Sequence, residues 1–121
     1  MDALIRYGFS VDEIKNIMNT NEEINDVSDK DINNIIALLE KYGCKINHIK
    51  NIIITNPFVL TKEIDELEKT IIVLKSISSN IEILIDTNPF LLNMNERDIN
   101  SLVKNLELSK NNIVDYLYFN I

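Results

Sequence analysis

The sequence predicts an all-α protein: a short array of stacked helical repeats, about three and a half units of 32–35 residues forming one domain over residues 1–121. Three observations carry this reading. Apolar residues recur at helical spacing, most cleanly Ile32, Ile35, Ile36 and Leu39 at i, i+3, i+4 and i+7. The tetrapeptide Thr-Asn-Pro-Phe occurs at residues 55–58 and again at 87–90, 32 residues apart, and contains both prolines of the chain. The surrounding apolar positions superpose under the same shift, Ile49, Ile52, Ile53 and Leu60 falling on Ile81, Leu84, Ile85 and Leu92. Periods of this length mark helical units that bury their apolar faces only by stacking. Ile52-Ile53-Ile54 and Ile71-Ile72-Val73 have β propensity, but each lies inside a helical period, so no strand is predicted.

The elements follow in order. Residues 3–7 read as a short helix stopped by Gly8. Ser10 and Glu13 form a capping-box pair, each side chain satisfying a free N–H at the start of a helix over 11–19 with Val11, Ile14, Ile17 and Met18 inward. Residues 20–27 read as a turn. Ser28 and Asp31 cap the next helix, and Gly43 closes it, where a left-handed residue is least costly as glycine. A helix over 46–54 points Ile46, Ile49, Ile52 and Ile53 inward. Thr61 caps a long helix over 62–75 carrying Ile64, Leu67, Ile71 and Leu74. Ser79 with Glu82 starts the helix of Ile81, Leu84 and Ile85. Asn95 with Asp98 starts a helix over 96–108, with Ile99, Leu102, Val103 and Leu106 inward. Ser109 begins a last helix that ends in Tyr116, Tyr118 and Phe119.

The two turns, Asn56-Pro57-Phe58 and Asn88-Pro89-Phe90, organise this arrangement. Proline lacks an N–H and pushes the preceding residue out of the helical region, so each tetrapeptide stops a helix. Phe58 and Phe90 are expected to fold the turn back onto the core and pack between repeats. A shift of 35 extends the repeat backwards, placing Gly8, Ile14, Ile17 and Met18 on Gly43, Ile49, Ile52 and Ile53, with Glu22 in the proline position.

The series Leu39-x3-Gly43, Ile46, Ile49, Ile52-Ile53, Asn56-Pro57-Phe58-Val59-Leu60, then Leu67, Ile71 and Leu74, resembles the repeat of the mitochondrial transcription termination factor (mTERF) family. That resemblance implies helical repeats stacked in a curved superhelix, with nucleic acid bound along a basic face.

Charge bears on that implication. The net charge is −7. Residues 1–40 hold three basic and nine acidic side chains, residues 41–80 six and four, and residues 81–121 three and six. An acidic chain repels phosphate, and affinity for nucleic acid rests on lysine and arginine neutralising it. The basic cluster is Lys41, Lys45 and Lys50 with His48, the position from which phosphate contacts would be made. Arg6 and Arg97 are the arginines, few for bidentate phosphate or base recognition. Generic DNA or RNA is therefore expected to bind no tighter than about 10⁻⁵ M at physiological salt.

No stretch announces a reaction. His48 lies off the apolar stripe and reads as exposed, without a spaced nucleophile or carboxylate partner. Cys44, a single cysteine, excludes an internal disulfide, and with one histidine it makes no zinc site; it reads as a small buried or half-buried side chain. The acidic groups cluster at helix starts, where the helix dipole favours negative charge. No cofactor or metal is expected, and the protein reads as a non-enzyme. No apolar run approaches the ~20 residues needed to span a bilayer, and no basic segment followed by an apolar core opens the chain, so a cytoplasmic protein is expected.

The leading reading is a binding module acting on a protein partner through Glu22, Glu23, Asp26, Asp29 and Asp31. A compact acidic protein of this kind would also fit a nucleic-acid channel, as an inhibitor of a nucleic-acid-handling complex such as an RNA-guided nuclease. The alternative is nucleic-acid binding of the transcription-termination-factor type. Self-association through the aromatic end at residues 116–119 is a further expectation.

Overall fold

Several helix starts are set by side chains that satisfy free N–H groups, and several helix ends by a following glycine or proline. The computed structural model describes residues 1–106 and 110–119. Among these residues the regular structure is nine α-helices and two 3-10 segments, with no strand, as the sequence predicts. The chain falls into two compact units, Met1–Lys62 and Glu63–Ile121.

The first unit contains α1 (Asp2–Arg6), α2 (Val11–Thr20), α3 (Glu22–Asn25), α4 (Asp29–Lys41), α5 (Ile46–Thr55) and a 3-10 segment, Pro57–Thr61. The capping box forms: Glu13 N donates to Ser10 Oγ at 3.1 Å and Ser10 N donates to Glu13 Oε1 at 2.8 Å. Asp31 N donates to Ser28 Oγ at 3.1 Å at the start of α4. Gly8 and Gly43 have φ of +90° and +93°. In both, the residue after the glycine donates back to the leucine five positions earlier, Phe9 to Leu4 and Cys44 to Leu39, each at 3.1 Å. The 35-residue shift therefore holds down to the hydrogen bonds of a glycine-closed helix end. Residues 20–27 are more than a turn. Asn21 Oδ1 accepts from Glu23 N at 2.9 Å and starts the short α3, which buries Ile24 completely.

The core of this unit gathers Leu4, Ile17, Ile24, Ile32, Ile36, Leu39, Ile49, Ile52 and Ile53, all buried. Helix α1 packs on α4, α2 on α3 and α5, and the 3-10 segment on α3, α4 and α5. Two residues expected inward are exposed, Val11 and Ile46. Each is the first residue of its helix. Side chains on a helix lean toward its N-terminus, so a first residue projects past the end, where no preceding turn covers it.

The second unit contains α6 (Ile64–Ile77), α7 (Ile81–Thr87), a 3-10 segment Pro89–Asn93, α8 (Glu96–Leu106) and α9 (Lys110–Phe119). Glu63, not Thr61, caps α6: its carboxylate accepts from Asp65 N and Glu66 N, both at 3.2 Å. Thr61 is taken up as the last residue of the preceding 3-10 segment, its hydroxyl donating to Phe58 O. Asn80, not Ser79, caps α7, accepting from Ile83 N at 3.3 Å. Asn95 and Asp98 pair reciprocally at 2.8 and 3.3 Å, as expected. Helix α6 packs on α7, α8, α9 and the 3-10 segment. Ile99 is buried and Leu102 and Val103 half-buried; the Leu106 side chain and residues 107–109, including Ser109, lie outside those described.

The Asn-Pro-Phe turns correct one expectation. Pro57, Val59 and Leu60 are buried, as are Pro89, Leu91 and Leu92. Phe58 and Phe90 are not: they are 39% and 46% exposed. The chain enters a 3-10 helix at each proline, with three residues per turn. The proline and the residue three later then share the inward edge, and the phenylalanine falls on the outer one. The buried polar residue of the turn is the asparagine, Asn56 at 1% and Asn88 at 5% exposure. Asn88 Nδ2 donates to Leu117 O at 2.7 Å and so fastens the turn to α9. A second long-range bond in this unit, Thr70 Oγ1 to Met94 O at 2.7 Å, ties α6 to the end of the same turn.

Candidate functional site

The basic cluster read from the sequence does not present three free lysines. Lys41 ends α4, its ammonium 5.5 Å from the Tyr42 ring centroid. Lys45 is exposed and precedes α5. Lys50 is bound into the first unit. Its Nζ donates to Gly8 O at 2.9 Å, lies 3.7 Å from Glu13 Oε1 and sits 5.5 Å from the Phe9 ring centroid. The Ser10 N–H, with the Lys50 charge adding to it, holds the Glu13 carboxyl below its ordinary value of 4.5. A phosphate contact by Lys50 would break this set of bonds, so it acts as a tie between α5 and the Gly8 turn.

The five acidic residues differ in role. Glu22 and Glu23 lie in the first turn of α3, and Asp29 and Asp31 in the first turn of α4. Asp29 is half-buried: its Oδ1 accepts from Ala3 N at 3.1 Å and lies 3.7 Å from the N-terminal ammonium. Glu22, Glu23, Asp26 and Asp31 are exposed. Cys44 is buried, as expected. His48 was expected to be exposed and is half-buried. Among the described residues, no group of three or more His, Cys, Asp or Glu side chains could hold a metal ion. No helix there is long and apolar enough to cross a membrane.

Sequence reasoning missed a polar groove in the second unit. It encloses about 490 Å³ between α6 and α8 and is lined by Glu66, Lys69, Asn95, Glu96, Arg97, Asn100, Ser101 and Lys104. Three cations and two carboxylates meet there. Glu66 lies 3.5 Å from Lys69 Nζ, so these two charges offset each other. Among the described residues, neither Arg97 nor Lys104 forms an ion pair. The signal was present in the sequence: Arg97, Asn100, Ser101 and Lys104 fall at i, i+3, i+4 and i+7, a stripe of donors without a carboxylate. A search for inward apolar stripes passes over an outward polar one.

At the C-terminal end, Leu117 is buried and Phe119 is exposed, with the Tyr118 and Phe119 ring centroids 6.1 Å apart.

The mTERF family model matches residues 1–114. No curated protein and no solved structure matches the chain. Helical repeats closed by glycine, paired Asn-Pro-Phe turns and a family match over nearly the full length agree: the chain belongs to the mTERF family of helical-repeat proteins.

Proposed function

We propose that the chain is a non-enzymatic nucleic-acid-binding module, a single helical-repeat domain that holds the sugar-phosphate backbone. The observation that carries this reading is family membership over residues 1–114. Local chemistry is compatible with it. Arg97 and Lys104 line the α6–α8 groove. The net charge of −7 keeps generic affinity low, because long-range repulsion works against every phosphate contact. Binding is therefore weak for arbitrary sequence and weakens further with added salt. The test is an anisotropy titration of labelled single- and double-stranded oligonucleotides at 50 mM salt. Saturable binding near 10⁻⁵ M, in the non-specific range, supports the reading. A flat signal to 100 μM protein refutes it.

A second reading rests on a different observation, the exposed carboxylates Glu22, Glu23, Asp26 and Asp31 of the first unit. They would suit a basic surface on a protein partner, with inhibition of a nucleic-acid-handling complex such as an RNA-guided nuclease as the consequence. A pull-down with and without nuclease treatment separates the two. A partner that survives nuclease and is lost on Glu22→Lys with Glu23→Lys favours the protein reading.

A further inference from the structure

We infer that the α6–α8 groove is a phosphate-binding site, with Arg97 and Lys104 as its anchors; under the nucleic-acid reading proposed above, on which this rests, the phosphates are those of the strand backbone.

Glu66 is occupied by Lys69 at 3.5 Å. Glu96 stands in the first turn of α8, where the helix dipole offsets part of its charge. Arg97 and Lys104 lack an ion-pair partner among the described residues, and both are exposed to an incoming anion. Between them on the same face stand an amide, Asn100, and a hydroxyl, Ser101, both exposed. Seven helical residues span about 10 Å. Guanidinium binds phosphate as a bidentate fork, and lysine as a point charge. The groove lining contains no aromatic residue, so nothing in it stacks on a base. Contacts of this type fix a backbone without reading sequence. The site also differs from the basic cluster read from the sequence, where Lys50 is already committed to Gly8 and Glu13.

The test uses the full chain and four proteins: wild type, Arg97→Gln with Lys104→Gln, Arg97→Lys with Lys104→Arg, and Lys41→Gln with Lys45→Gln. Each is titrated by anisotropy with a labelled 12-nucleotide mixed single strand, from 50 to 200 mM salt. Inorganic phosphate is titrated separately, with amide shifts read by NMR. The groove variant should bind the strand at least about tenfold more weakly, and its log–log salt slope should fall by about 1.4, two contacts at ~0.7 each. The Lys41/Lys45 variant should change affinity less than threefold. Inorganic phosphate should shift the Asn100 and Ser101 amides in wild type and not in the groove variant. Arg97→Lys with Lys104→Arg should retain most of the binding, which separates charge from folding. If wild type binds the strand and the groove variant binds equally, the groove assignment fails and the nucleic-acid reading stands. If wild type ignores the strand but phosphate still shifts Asn100 and Ser101, the phosphate site stands and the nucleic-acid reading fails. Absence of phosphate-dependent shifts at Asn100 and Ser101 overturns the inference.

Discussion

Replacing Asn88 with alanine tests the device that holds the second unit together. Asn88 is 5% exposed, and its Nδ2 donates to Leu117 O at 2.7 Å across 29 residues of sequence. The substitution removes the donor and leaves a carbonyl in a buried setting without it. An unsatisfied buried acceptor costs about 1–3 kcal/mol. Asn88→Ala should therefore destabilise by about 2–3 kcal/mol, the upper part of that range, because the truncation also leaves a small void. With a urea slope of roughly 2 kcal/mol/M, the unfolding midpoint should fall by about 1 M. Asn88→Asp is the sharper probe. At neutral pH its carboxylate has no N–H to give and would face the Leu117 carbonyl, oxygen against oxygen, so it should lose more than alanine does. As pH falls and the carboxyl takes a proton, it regains a donor and part of the loss should return. The assay is a urea melt of each variant at pH 7 and pH 5, followed by far-ultraviolet circular dichroism. Wild-type midpoints for both variants at pH 7 would refute the claim that the turn asparagine fastens α9.

Other outcomes follow from the same geometry. Phe58→Ala and Phe90→Ala should cost only about 1 kcal/mol each in urea melts, because the side chains are 39% and 46% exposed and give up part of a full burial term; a loss above about 3 kcal/mol, the range of core truncations, would show that both are buried. Gly43→Ala meets no atom within 4 Å, so its cost is the left-handed backbone alone, about 1–2 kcal/mol by thermal melting, and Gly43→Asn should cost less. Glu13 has a folded pKa below its ordinary 4.5, so the unfolded state binds the proton more tightly. Its contribution is present above 4.5 and is lost as pH falls through the lowered folded value. Wild type should accordingly lose more stability than Glu13→Gln between neutral pH and strong acid, and parallel pH profiles would contradict this.

The fold was legible where local chemistry decides structure. The Ser10–Glu13 box, the Ser28 cap, the glycine ends at Gly8 and Gly43 and the Asn95–Asp98 pair all depend on residues within five positions, and all were readable. Errors arose where two local signals compete. Thr61 and Glu63 both suit an N-cap, and the 3-10 segment had already taken Thr61. Phe58 and Phe90 were misplaced because apolar character suggests burial, while the orientation of a side chain after proline depends on a period of three rather than 3.6. The site was less legible than the fold. A lysine cluster counts charges, but whether Lys50 is free depends on Gly8, 42 residues away in sequence. The α6–α8 groove depends on which helices pair, which composition does not encode. The bond from Asn88 to Leu117 is of the same kind.

The salt dependence of nucleic-acid binding tests the central claim most directly. Wild-type dissociation constants for a mixed single strand, measured between 50 and 200 mM salt, should give a straight log–log plot. Arg97 and Lys104 offer two groove contacts, because Lys69 is paired with Glu66, and at ~0.7 per contact the slope should lie near −1.4. A slope near zero with measurable binding, or no binding at 50 mM salt, would contradict a backbone-holding nucleic-acid module.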